Sequence, residues 1–213
     1  MNGSPWFSGF LSFGIFLLGF SSYAQAPAPV SETELQPLHV VYSKAKTPVK
    51  VSVQFKLEGD ELHAHYETLN SHINAKPKLN PGQYPYQFDT VELFLSVNES
   101  APNLPYYEFE VSPYNQTFLV KILDPQKPFV DNFQVPGFQS SVSPIPGGWS
   151  ADLRIPLSVL HWNGDVTKIT GNAYAISGAS PLRSYFGLTL PVEAKPNFHL
   201  PQYFQPLFPP NDK

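Results

Sequence analysis

Five carboxylates fall on segments that alternate like half-buried strands. Asp89 and Glu92 lie in FDTVELFLSV, Glu108 and Glu110 in YYEFEV, and Asp152 in WSADLRIP. Carboxylates set among aromatic residues suit two kinds of chemistry, with solvated strand edges as the simpler reading. As charged acceptors they form strong hydrogen bonds to hydroxyl groups. As a pair about 5 Å apart, one with a raised pKa, they cleave glycosidic bonds. No motif sets a catalytic pair apart from ordinary strand acids here, so the acceptor role is the expectation and catalysis is not. His63 and His65 stand two apart on one strand face, with His72 further on, a spacing open to Zn or Cu. Solvated strand histidines are the simpler reading. His161 and His199 are expected to make structural hydrogen bonds, and Asp152 and Arg154 to pair at the surface.

These side chains need strands to place them. The 24 Pro are scattered through 213 residues, a spacing that no long helix survives, while 15% aromatic content favours strands. Residues 38–43 read as a short edge strand. VKVSVQFKLEGDELHAHYETL reads as a hairpin, with Val51, Val53, Phe55 and Leu57 alternating with polar residues and a turn at EGDE. Further strands are expected at residues 91–97, 106–111, 116–123, 170–177 and 184–191, with a short one around 138–142. Residues 149–160 alternate and then close in one helical turn after Pro156. The sum is an all-β chain: an antiparallel β-sandwich of jelly-roll or immunoglobulin-like type, with 8–10 strands and one short helical turn. Trp149 is expected to be a core aromatic. The C-terminal segment KPNFHLPQYFQPLF is expected to be extended and held by its prolines.

The absence of Cys excludes disulfides, thiol catalysis, iron–sulfur clusters and Cys-linked lipid anchors, and favours a bacterial source for an exported chain. Net charge is −4 with no basic run, so nucleic acid is not an expected partner. Residues 10–20 form an apolar run too short for a stable span and suited to a signal peptide. Cleavage after Ala24 is preferred, since a cut after Ala26 would set Pro27 beside the scissile bond. Residues 1–24 are thus read as signal, 25–36 as a flexible leader and 37–213 as the sandwich. The protein is expected to be secreted or periplasmic, with no membrane span after cleavage and with its oligomeric state open. Asn98 and Asn115 head glycosylation sequons, which matter only in a eukaryotic host.

The ordered set YQFDTVELFLS, YYEFEVSP, GGWSADLRIPLSVL, GNAYAIS and KPNFHLPQYFQPLF resembles the family 9 carbohydrate-binding modules and their single-domain bacterial relatives, related to the DOMON architecture. The resemblance implies a non-catalytic sandwich that binds a mono- or oligosaccharide, in association with polysaccharide breakdown. It implies a sugar held between two aromatic rings while carboxylates and amides bond its hydroxyls. Tyr86 stands where a stacking Trp is usual, and Glu92 at the sugar-bonding carboxylate. With Glu108, Glu110, Asn172 and Tyr185, these make the expected ligand-binding set. Leu188 stands where a second Trp is usual, and Ala175 where a basic residue is common. Phe186 or Tyr185 substitutes for the second wall if the register differs by one residue.

Those departures support an alternative: a sandwich with a degenerate sugar site, serving as an envelope protein-interaction domain. The DOMON likeness also raises haem, which would need two His ligands, since Met1 is the only Met. No cofactor is expected; calcium is the structural ion the resemblance allows, with Asp131 and Asn132 as oxygen ligands.

Overall fold

The computed structural model describes residues 30–44, 48–98, 103–127, 133–192 and 196–209. The signal-peptide reading and the Asp131–Asn132 pair lie outside the described residues. Twelve strands are described: β1 (Val30–Glu32), β2 (Gln36–Ser43), β3 (Lys50–Glu58), β4 (Glu61–Leu69), β5 (Thr90–Ser96), β6 (Tyr106–Val111), β7 (Thr117–Ile122), β8 (Gln139–Ile145), β9 (Gly148–Pro156), β10 (Thr170–Ser177), β11 (Ser184–Gly187) and β12 (Gln205–Pro206). Every pairing is antiparallel. The expectation of 8–10 strands omits the short β1 and β12. Four 3₁₀ turns occur among the described residues, including the expected one after Pro156.

The strands form two layers. One runs β8-β9-β4-β3, and the other β7-β6-β5-β10-β11. β2 joins them: Gln36–Leu38 pair with β3, while His39 to Ser43 pair with β11. β1 lies along the far half of β3, so Val30–Glu32 belong to the sheet although the composition of 25–36 suggests a free leader. Thr33 fixes that entry, its hydroxyl accepting from the Phe55 amide at 3.0 Å.

β3 and β4 keep strict alternation because one face meets the core and the other meets solvent. Phe55, Leu62, Ala64 and Tyr66 face Leu93, Leu95, Phe109 and Ala173 across the interior. Tyr66 spans the layers, its hydroxyl donating to the Glu92 main-chain carbonyl at 2.8 Å. Trp149 is buried in this core, as expected.

β5 and β6 differ, being buried at every position. Their inner residues enter the main core, while Phe94 and Tyr106 join a second apolar cluster on the outer face with Val120, Tyr174, Ile176, Phe198 and Phe204. The second cluster exists because the C-terminal segment folds back over this layer. Phe198 stacks on Tyr174 at 4.3 Å and 9°, and Phe204 meets the edge of Tyr106 at 5.2 Å. Burying a Phe side chain contributes about 1.5–3 kcal/mol, which holds a Pro-rich strap that has few strand hydrogen bonds of its own. Acids on the outer face of β5 and β6 are therefore enclosed.

Candidate functional site

Beside these acids lies a half-open cavity of about 350 Å³, between the outer face of β5, β6 and β10 and the strap. That is the lower end of the range for small-molecule sites. Cross-strand pairing sets Glu92 beside Glu110 and Phe94 beside Glu108. The alternation that sends Val91, Leu93 and Phe109 inward sends all three glutamates outward. One carboxylate oxygen from each of Glu92, Glu108 and Glu110 lies within 4.8 Å of the other two. The three residues are 2%, 5% and 0% exposed.

Tyr86 sits on the 3₁₀ turn Pro85–Gln87, which leads into β5. Its amide donates to Glu110 Oε2 at 2.9 Å, and its carbonyl accepts from Arg183 Nη1 at 3.1 Å. The ring stacks on Tyr84 at 5.4 Å and meets the edge of Phe118 at 6.0 Å. Glu92 Oε1 and Glu110 Oε1 are buried without a hydrogen-bond partner. Burial holds the Glu92 carboxyl well above the usual range, aided by the charge of Glu108 and opposed by Arg183. Burial also raises Glu110, with Glu92 and Glu108 adding repulsion. Glu108 is pushed up to about 7 by burial, with the Glu110 carboxyl as hydrogen-bond partner holding it back.

Five of the six expected ligand residues line the cavity: Tyr86, Glu92, Glu108, Glu110 and Tyr185. Asn172 does not. Its side-chain oxygen accepts from the Leu188 and Thr189 amides, both at 3.2 Å, and so shapes the chain after β11. Leu188 packs against the main core. Ordinary alternation along β11, in register with Ile176 and Ala175 of β10, sends Tyr185 into the cavity and Phe186 into the interior, while a register shift between the two falls in the pairing with β2. Tyr185 meets Phe198 edge-on at 6.0 Å.

The composition of the sequence does not announce Phe94, Phe118, Phe198 and His199, which also line the space. His199 Nδ1 lies 2.8 Å from the Tyr106 hydroxyl, the structural bond expected of it, but the ring also faces the cavity. Burial lowers its pKa, so the imidazole is neutral near pH 7. The one advance signal was the NFHLP motif, which places Phe198 and His199 in a segment too apolar to remain solvated.

The other candidates lie elsewhere. His63 and His65 face outward on β4, beside Glu61 at 2.8 Å and Asp152 at 2.7 Å, while His72 bonds Ser71. Among the described residues these histidines do not form a metal cluster, and Asp152 partners His65 rather than Arg154. Of the six histidines only His199 lines the cavity, so no bis-His pair converges there.

No protein-family model matches the chain, and no curated protein matches it. Solved structures do match. A candidate carbohydrate-binding protein from Bacteroides uniformis aligns at 20% identity and a TM-score of 0.66, over 81% of this chain and 84% of that one. A family 9 carbohydrate-binding module from Caldicellulosiruptor kristjanssonii in complex with cellotriose aligns at 18% identity and 0.59, over 81% and 80%. A family 9 module from the same organism, in complex with glucose, aligns at 17% and 0.55, over 78% and 80%. The chain has the fold of family 9 carbohydrate-binding modules.

Proposed function

We propose that this chain, built on the family 9 carbohydrate-binding fold, is an exported, non-catalytic protein that takes a mono- or oligosaccharide into the cavity under its C-terminal strap. The observation that carries the reading is the cavity's lining. Aromatic rings from four different segments, Tyr86, Phe94, Phe118 and Tyr185, surround buried carboxyl oxygens that have no partner within the protein. A pyranose supplies both complements, C–H faces for rings and hydroxyls for oxygens. The apolar run at residues 10–20 supports export to the periplasm or beyond, where such binding would serve polysaccharide breakdown.

Tyr86→Ala tests this. Its ring is half-buried and rests on Tyr84 and Phe118, outside the main core. Calorimetric titration with xylo-, cello- and chito-oligosaccharides should show binding by the wild type and at least roughly tenfold weaker binding by the variant, an aromatic contact being worth about 0.5–1.5 kcal/mol beyond its buried area. The melting temperature should shift by only a few degrees. Absence of wild-type binding to every series would overturn the reading.

A further inference from the structure

Resting on that saccharide reading, we propose that the carboxylate triad selects a protonated primary amine, so that the sugar taken by the cavity is an amino sugar whose amine is free. The geometry separates this ligand from a neutral one. An ammonium carries three donors and no acceptor, whereas a hydroxyl has one donor. At an N···O distance of about 2.8 Å, three acceptors arranged tetrahedrally around an ammonium lie about 4.6 Å from one another. Glu92, Glu108 and Glu110 each present one oxygen within 4.8 Å of the other two. The three come from two neighbouring strands, and among their oxygens Glu92 Oε1 and Glu110 Oε1 are buried without a partner in the protein. One hydroxyl brings a single donor to these oxygens, whereas one ammonium brings three.

Charge and surroundings agree. The described lining includes three acids and no Lys or Arg, with aromatic rings such as Tyr86 and Phe118 beside them. A bare calcium ion is the poorer occupant. It needs six to eight oxygens at about 2.3–2.6 Å, and most of the remaining wall is aromatic. The other charged or titratable groups around the triad are Arg183, whose charge acts on Glu92, the neutral His199, and the phenols of Tyr86, Tyr106, Tyr174 and Tyr185. None of these competes as a permanent anion. Because burial favours the protonated acids, an entering ammonium should expel protons from the triad.

The test is calorimetric titration of the full chain with D-glucosamine, N-acetyl-D-glucosamine, D-glucose and calcium chloride at pH 6.5, each in two buffers of different ionisation heat. Glucosamine should bind at least roughly tenfold tighter than either neutral sugar and release protons that the neutral sugars do not. In Glu108→Gln and Glu92→Gln the ratio of glucosamine to N-acetylglucosamine affinity should fall towards one. Melting temperatures should hold or rise, which excludes misfolding as the cause. Equal or tighter binding of the neutral sugars overturns the amine inference and leaves the saccharide reading standing. Binding of none of the three sugars overturns both. Tight calcium binding that is lost in Glu108→Gln, without preference for the amine, assigns the triad to a metal and overturns the inference.

Discussion

Glu108 binds its proton more tightly in the folded chain than in the unfolded one, because burial disfavours its charge and raises its pKa from the ordinary glutamate value of 4.5 to about 7. Its stabilising contribution is therefore complete below about pH 4.5 and declines as pH rises towards 7. At about 1.4 kcal/mol per pH unit, the loss is on the order of 3 kcal/mol. Glu92 and Glu110, also raised by burial, extend the decline to higher pH. Urea unfolding at pH 5 and pH 8 should show lower stability at pH 8, and replacing all three acids by Gln should flatten the difference. Asp89 presents the opposite case among buried acids. It too is raised by burial, yet it accepts from Asn70 Nδ2, Asn74 N and Gly178 N at 3.0, 3.0 and 2.6 Å. Asp89→Ala would strand those donors and should cost about 2–4 kcal/mol in the same assay. The positions of the acids were legible in the sequence, since a carboxylate between apolar strand residues is visible to the eye. Their enclosure was not. It depends on a strap nearly a hundred residues further along, whose docking follows from ring contacts rather than from any local pattern.

The strands themselves were readable where one face meets solvent. The β3–β4 hairpin follows its alternation residue by residue, and Gly59, at φ 64°, supplies the turn. The read boundaries of 106–111 and 170–177 coincide with β6 and β10. β5 and β6 were readable as strands but not as doubly buried ones, because polar acids on the outer face imitate a solvated edge. β11 places Tyr185 opposite Ile176 on the outer face by ordinary alternation, but its pairing with β2 carries a one-residue irregularity that alternation cannot reveal. A close backbone approach constrains β10 as well. A Cβ placed on Gly171 would stand 2.4 Å from the Phe94 carbonyl oxygen, between β10 and β5. Gly171→Ala should therefore separate β10 from β5 locally. The expected results are a loss of several kcal/mol in urea unfolding and faster amide exchange at Phe94.

At the scale of the molecule, the strap is both wall and cover. A chain ending at residue 195 would lack Phe198, His199 and Phe204, and would leave Phe94, Tyr106 and Tyr174 facing water. It should bind a hydrophobic dye, melt lower and show no saccharide affinity, while far-ultraviolet dichroism retains its β signature because the main core loses only Leu207 and Phe208.

β2 has a mechanical meaning of its own. One continuous run of eight residues is stitched to both layers, to β3 through its first half and to β11 through its second. Neither layer can peel away without tearing the seam they share. A scanning calorimeter should accordingly record a single endotherm, and slow-exchanging amides at the centres of β4 and β10 should report the same opening free energy, like two boards fastened by one dowel.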